Sequence, residues 1–123
     1  MEHEHDHLFP QASREGIQMQ ASLAPESMEA WRNFSKTVFQ DGALPAKTKQ
    51  LIALAVAHVT QCPYCIRSHT KDAMRKGATK EEMMEAIWVA AEMRAGAATA
   101  HAAIAIDEMQ KQERKSFEHG TSS

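Results

Sequence analysis

Residues 51–71, LIALAVAHVTQCPYCIRSHTK, decide the fold. Their first part is apolar on nearly every side, which predicts a buried central helix. Cys62 and Pro63 then predict the start of another helix, with the cysteine as its cap and the proline at its first position, where a missing N–H costs nothing. In a helical segment Cys62, Cys65 and His69 share one face, because residues three and four apart are neighbours.

Helical spacing continues towards the N-terminus, and no segment alternates as a strand would. The sequence therefore predicts an all-α, single-domain helical bundle. Residues 1–24 are polar and are expected to form an arm, irregular apart from a short helix near residues 15–20. Pro25 opens a first long helix with an apolar stripe, which stops near Gly42, and Pro45 opens the apolar helix.

The C-terminal part has one clear helix start and one expected weak point. Thr79 and Glu82 form a capping box, which opens a helical region that runs to about residue 115. We expect this region to break or bend near Gly96, because in one piece it is too long for a small globule. The helical domain thus covers residues 25–115, and residues 116–123 are expected to fray.

The composition is that of a soluble globular domain, with 43% hydrophobic and 24% charged residues and a formal net charge of -2. This charge provides no general attraction to nucleic acid or to an anionic membrane, and neither is expected as a partner. Residues 51–59 form the longest strongly apolar run, which is too short to span a bilayer. Residues 1–7 lack the basic start and the apolar stretch of a signal peptide, so we expect a cytoplasmic protein. In that reducing compartment a lone Cys-x-x-Cys pair is more often catalytic or metal-binding than structural.

The two cysteines and the histidine form a compact redox group. A thiol reacts as its thiolate, so the imidazole of His69, four residues beyond Cys65, favours Cys65 as the reactive thiol. The positive end of the predicted helix favours Cys62 as the more acidic thiol instead. We favour Cys65, because a base next to the thiol is what nucleophilic chemistry requires.

Residues 44–105 resemble the alkylhydroperoxidase D-like group of the carboxymuconolactone decarboxylase superfamily. The resemblance rests on residues 51–71, where an apolar helix runs into Cys-x-x-Cys with histidine at the fourth position after it, and on residues 85–97, EAIWVAAEMRAGA. It implies an all-helical protein that assembles as a homo-oligomer, a trimer or a hexamer. The alanine-rich residues 90–105 suit either packing within one chain or an interface between copies, and the resemblance favours the interface.

In peroxidase-type members of this family the second motif cysteine attacks a small hydroperoxide and the first resolves the product as a disulfide. The resemblance therefore implies that Cys65 is the peroxidatic thiol, Cys62 the resolving thiol and His69 the proton-handling imidazole. An external dithiol or a protein reductant would then reset the disulfide. No haem, flavin or nicotinamide site is visible in the sequence, and we expect neither a cofactor nor a metal.

This chain departs from the family pattern at Gln50, where the peroxidase-type members have a glutamate. Glutamine can hydrogen-bond but cannot take up a proton. Glu92, His58 and His101 are candidate replacements in the proton relay. Glu92 could equally pair with Arg94, and histidines on apolar stretches are more often core residues than catalysts. Our hypothesis is that another group replaces the glutamate in the relay, or that the activity is slower disulfide exchange.

Other functions also fit the pattern. One alternative is a dithiol–disulfide oxidoreductase or redox sensor without peroxidase turnover. Another is a zinc site formed by the cysteines and His69, to which His3, His5 and His7 could add weak ligands. A third is a non-catalytic helical assembly module whose cysteines are merely small buried hydrophobes. Decarboxylation is disfavoured, because the members of the superfamily with that activity are not defined by a Cys-x-x-Cys pair.

Overall fold

The computed structural model describes residues 8–121, and this part of the chain contains helices and no strand. The helices are α1 (Arg14–Leu23), α2 (Pro25–Phe39), α3 (Ala46–Thr60), α4 (Pro63–Arg75) and α5 (Lys80–Thr121). The predicted all-α fold is confirmed. None of the described helices has the length and apolarity needed to cross a membrane.

The hydrophobic core lies where α3 meets α4 and α5. Leu54 of α3 is only 1% exposed, and it packs against Ala73 of α4 and Met83 of α5. Burying a leucine side chain in this way stabilises the fold by about 1.5–3 kcal/mol. The three helices therefore form the compact part of the chain, and α3 is central to it as predicted.

The start of α5 is fixed by the capping box that the sequence predicts. The backbone N–H of Glu82 donates to Thr79 Oγ1 at 3.0 Å, and the backbone N–H of Thr79 donates to Glu82 Oε1 at 2.8 Å. Lys47 Nζ lies 2.9 Å from Glu82 Oε2, which ties α5 to α3. The hydrogen bond from the Thr79 backbone, followed by the one from Lys47, holds the pKa of the Glu82 carboxyl below its usual value.

The expected break near Gly96 is wrong, because α5 is one uninterrupted helix of 42 residues. A glycine costs a helix only about 1 kcal/mol relative to alanine, and the surrounding alanines are the best helix formers. A Cβ at position 96 would lie 3.4 Å from Glu92 Oε1, which is an ordinary van der Waals contact, so the packing there does not require a glycine. The helix also continues through residues 116–121, where the sequence predicted a frayed tail.

Two further predictions differ from the structure in extent. The short helix in the arm is the ten-residue α1, which has no buried residue. Helix α3 is buried on one side only, since Ile52 and Val56 remain 47% and 51% exposed. The reason is that α2 packs loosely and contributes no buried residue, which leaves a groove between it and α3.

Candidate redox site

The cysteine pair lies at a tight junction between α3 and α4. Only two residues separate these helices, and Gln61 turns the chain with a left-handed backbone (φ 57°). The backbone N–H of Cys62 donates to the carbonyl oxygen of Ala57 at 3.1 Å, which closes the end of α3. This turn places Cys62 directly at the N-terminus of α4, as the sequence predicts.

Cys62 and Cys65 form a disulfide, with their Cα atoms 5.2 Å apart. Cys62 is the N-cap of α4, and its sulfur accepts the backbone N–H of Cys65 at 3.2 Å. After reduction, this N–H and the positive end of the helix would stabilise a thiolate on Cys62. Cys62 is therefore well suited to be a leaving group when the disulfide is reduced.

His69 lies one turn beyond Cys65 and is held by Gln50. The Nδ1 of His69 donates to Gln50 Oε1 at 2.8 Å, and the glutamine side chain is buried, at 6% exposure. A carbonyl oxygen only accepts, so Nδ1 carries the hydrogen and Nε2 is the acceptor of the neutral ring. Gln50 thus orients the imidazole from the relay position, although its amide cannot take up the proton.

A groove of about 850 Å³ runs between α2, α3 and α4 past this histidine. Its apolar wall consists of Trp31, Phe34, Val38, Phe39, Ile52 and Val56. Cys65, His69 and Gln50 line the same groove, whereas Cys62 does not. A small molecule in the groove would therefore meet Cys65 and the imidazole together.

The N-terminal arm reaches the motif at Tyr64, the residue before Cys65. The Tyr64 hydroxyl donates to the carbonyl oxygen of Pro10 at 2.6 Å, and its ring packs edge-on against Phe9, with centroids 6.2 Å apart. Tyr64 also lines the groove. The arm therefore packs beside the redox pair.

The other relay candidates lie away from the groove. His58 Nδ1 donates to the carbonyl oxygen of Leu54 in its own helix, at 2.8 Å. Glu92 and His101 are exposed on α5 and do not line the groove. Arg94 contacts the carbonyl oxygen of Val59 at 3.5 Å and forms no ion pair with Glu92. Of the predicted relay positions, only Gln50 contacts His69.

The structure offers no ready-made metal centre within residues 8–121. No three His, Cys, Asp or Glu side chains in that range lie together as a metal site would require. His3, His5 and His7, which the zinc hypothesis could recruit, lie outside the described residues.

Sequence reasoning missed the contribution of α2 to this site. Phe39, the last residue of α2, packs its ring against His69, with centroids 5.2 Å apart and an interplanar angle of 31°. The apolar stripe of α2 indicated that this helix has a face to cover. Nothing in the spacing indicates which part of the chain that face meets.

Three comparisons place the chain among known proteins. The model of the carboxymuconolactone decarboxylase family matches residues 25–108. An uncharacterized protein of the cox locus of Paracoccus denitrificans is 70% identical over 74 residues, which are 60% of this chain and 67% of that protein. A crystal structure of a protein from Methanobacterium thermoautotrophicum is 36% identical, covers 67% of this chain and 92% of the other, and superposes with a TM-score of 0.63.

A further solved structure carries a functional suggestion. This carboxymuconolactone decarboxylase family protein from Thermotoga maritima has been suggested to take part in an antioxidative response. It is 34% identical, covers 52% of this chain and 66% of the other, and superposes with a TM-score of 0.50.

The fold and the site define a helical protein with a Cys-x-x-Cys pair at a helix N-terminus and a histidine one turn later. The chain belongs to the carboxymuconolactone decarboxylase family, within which it is an alkylhydroperoxidase D-like member. The resemblance found in the sequence is thereby confirmed.

Proposed function

We propose that this protein is a thiol-dependent hydroperoxide reductase whose peroxidatic residue is Cys65. The observation that carries the proposal is that Cys65 and His69 line one apolar groove from which Cys62 is absent. A hydroperoxide with an organic group can bury that group against the apolar wall while its O–O bond lies near the thiol. The antioxidative response suggested for the Thermotoga maritima relative is consistent with this chemistry.

The reaction uses both cysteines in turn. The Cys65 thiolate attacks the terminal oxygen of the hydroperoxide, so that an S–O bond forms, the O–O bond breaks and an alkoxide leaves. The alkoxide takes a proton and departs as the alcohol, which leaves a sulfenic acid on Cys65. The Cys62 thiol then attacks the Cys65 sulfur, which forms the disulfide and releases water.

His69 handles the proton in this cycle. Because Nδ1 is bound to Gln50, Nε2 is the nitrogen that can accept the thiol proton and return it to the departing alkoxide. Gln50 keeps the ring oriented but adds no negative charge to stabilise the imidazolium. The amide in place of a carboxylate therefore makes the thiolate less favourable and the turnover slower than a glutamate would.

An external dithiol completes the cycle. Its thiolate attacks the disulfide, with Cys62 as the leaving group stabilised by the helix N-terminus, and its second thiol releases the mixed disulfide. Two electrons pass to the protein, and the donor leaves as a disulfide. The reducing cytoplasm would supply such a donor, either as a small dithiol or as a protein.

We also propose that the chain works as a homo-oligomer, a trimer or a hexamer. The outer part of α5 leaves large apolar side chains uncovered within the described chain, among them Ile104, Met109 and Phe117 at 68%, 60% and 73% exposure. Contacts with neighbouring copies would cover them.

The direct test is hydroperoxide consumption by the reduced protein with dithiothreitol as donor, beside the variant Cys65→Ser. We expect steady turnover in the parent protein and none in the variant. A disulfide that exchanges readily without hydroperoxide turnover would replace the proposal with an oxidoreductase or redox sensor. Thiols inert in both assays would leave a non-catalytic assembly module.

The variant Gln50→Glu tests the relay. A carboxylate 2.8 Å from Nδ1 would stabilise the imidazolium and hence the thiolate of Cys65. We expect faster alkylation of the reduced protein at neutral pH and a higher peroxide turnover. If neither rate rises, the relay does not pass through position 50.

A further inference from the structure

The imidazole of His69 is held at two places, and only one of them belongs to the predicted relay. Gln50 binds its edge through Nδ1 at 2.8 Å. Phe39 covers one of its faces, with ring centroids 5.2 Å apart. A hydrogen bond to one edge leaves the ring free to tilt about that bond, whereas a ring packed on its face fixes the plane.

The contact with Phe39 is notable because α2 is otherwise loosely attached. This helix has no buried residue, and Trp31 and Phe34 are 60% and 61% exposed. Apolar packing along the length of α2 therefore does not explain why its last residue lies on His69. Another interaction must hold this end of the helix.

Lys49 supplies that interaction. Its Nζ donates to the carbonyl oxygens of Val38 and Gln40, at 2.8 and 2.7 Å. These carbonyls lie at the C-terminal end of α2, where such groups lack partners within the helix and where the dipole favours a cation. Phe39 lies between the two residues that Lys49 binds.

The connection to α3 is fixed from the other side as well. Asp41 Oδ1 accepts the backbone N–H of Ala46, the first residue of α3, at 2.7 Å. One charged side chain thus caps the end of α2 and another caps the start of α3. Lys49 and Gln50 are adjacent in α3, so a single turn of this helix holds both the end of α2 and the edge of His69.

We propose that Phe39 is a positioning residue for His69, and that Lys49 places Phe39 by clamping the end of α2. Phe39 fixes the plane of the imidazole and keeps water from that face, so that Nε2 stays available on the groove side beside Cys65. The inference rests on the proposed function for its kinetic consequence, but the placement of the ring can be tested without it.

The test measures the tautomer of His69 by ¹⁵N NMR of the reduced protein at alkaline pH, where the ¹⁵N shifts of the ring also report whether it is neutral. We expect the parent protein to show only the Nδ1–H tautomer. Phe39→Leu and Lys49→Met should each give a mixture of both tautomers, because the ring can then tilt away from Gln50 and bind water. Phe39→Tyr, which keeps the flat ring, and Lys76→Met, at the far end of α4, should keep the single tautomer.

Turnover of hydroperoxide provides the second readout. We expect Phe39→Leu to lower kcat by about 10- to 100-fold, the loss expected from a misplaced catalytic group, with a smaller change in KM. Phe39→Tyr, which keeps the aromatic ring, should retain most of the parent protein's kcat. Lys49→Met changes no groove side chain other than Lys49 itself. If Phe39→Leu fails to fold, this variant still tests whether the end of α2 positions His69.

A single Nδ1–H tautomer in folded Phe39→Leu and Lys49→Met would overturn the proposal. So would a kcat equal to that of the parent protein in both variants. If the parent protein consumes no hydroperoxide, the proposed function fails, and the NMR result still decides whether Phe39 and Lys49 position the ring.

Discussion

The two halves of α5 have the same secondary structure and opposite surroundings. In the inner half, residues 80–96, Met83 and Ala90 are 7% and 4% exposed, and Glu82 binds Lys47 of α3. In the outer half every residue from 97 to 119 is exposed, including Ile104 at 68%. An ion pair there, Asp107 with Lys111, joins two residues of the same helix.

This difference separates the part of α5 that packs within one chain from the part that a second copy would cover in the proposed homo-oligomer. The inner half packs on α3 and completes the core under the redox junction. The outer half carries apolar side chains that nothing in the described chain covers, and helices without packing are marginal in water. The inner half therefore supports the fold, and the proposed homo-oligomer would use the outer half for assembly.

The largest change in stability should come from a substitution in the core that the inner half of α5 forms with α3 and α4. Leu54→Ala removes the most deeply buried large side chain, at the meeting point of three helices. We expect a loss of about 2–5 kcal/mol in the free energy of unfolding, the range for leucine truncation in a packed core. Urea unfolding measures it, and a loss below about 1 kcal/mol would mean that this core does not carry the fold.

On the assembly side, Ile104→Asp places a charge on the outer half of α5. If this face packs against another copy, the variant should weaken the association at least about tenfold, since burying an unpaired charge is costly. Sedimentation equilibrium measures the change. Gln110→Asp is the matched control, because it adds the same residue to the same helix at an exposed polar position. An unchanged mass for Ile104→Asp would exclude this residue from the interface.

A glycine at the junction between α3 and α4, which carries the cysteines, should raise the free energy of unfolding. Gln61 has a left-handed backbone, which costs a non-glycine residue about 1 kcal/mol or more. Gln61→Gly removes that cost and should stabilise the protein by up to about 1 kcal/mol. Gln61→Ala keeps the backbone conformation and should bring no gain. Thermal unfolding of the two variants shows whether only the glycine variant is stabilised. A loss of stability in the glycine variant would contradict the assignment of backbone strain to Gln61.

The smallest effect concerns pH and the capping box of the inner half. Hydrogen bonds from the Thr79 backbone and from Lys47 lower the pKa of Glu82 in the folded state below its ordinary value of 4.5. A lowered folded-state pKa means that the ionised carboxylate stabilises the fold at neutral pH. This contribution is present above about pH 4.5 and is lost as the pH falls towards the lowered value.

Glu82→Gln should therefore flatten the acid limb of the stability curve below about pH 5, with no change in its slope above about pH 6. Glu81→Gln is the control, because the Glu81 side chain forms no hydrogen bond or ion pair with the described residues. Denaturant midpoints measured across this range give the slopes. Parallel acid limbs for Glu82→Gln and the parent protein would contradict the linkage.

The sequence predicts well those parts of the fold that depend on near neighbours. The capping box of Thr79 and Glu82 and the start of α4 at Cys62 and Pro63 are interactions over three residues or fewer, and both are confirmed. The prediction at Gly96 is wrong because one glycine does not outweigh the alanines around it. The helix of a small chain can extend beyond its core without folding back on it.

The candidate site is predictable only in part, for the same reason. Cys62, Cys65 and His69 lie within one short segment, so their proximity follows from helix geometry. Gln50 follows from the family pattern. The positions of Phe39 and Lys49 depend on how α2 packs against α3 and α4, and no local spacing encodes that contact.

The most direct test of the account identifies the cysteine that hydroperoxide oxidises first. Reduced Cys62→Ser and Cys65→Ser are each treated with one equivalent of an organic hydroperoxide in the presence of a sulfenic-acid trap, and the adducts are mapped by mass spectrometry. The account predicts an adduct on Cys65 in the first variant and none on Cys62 in the second, because only Cys65 lines the groove with His69. An adduct on Cys62 with Cys65 unmodified would contradict it.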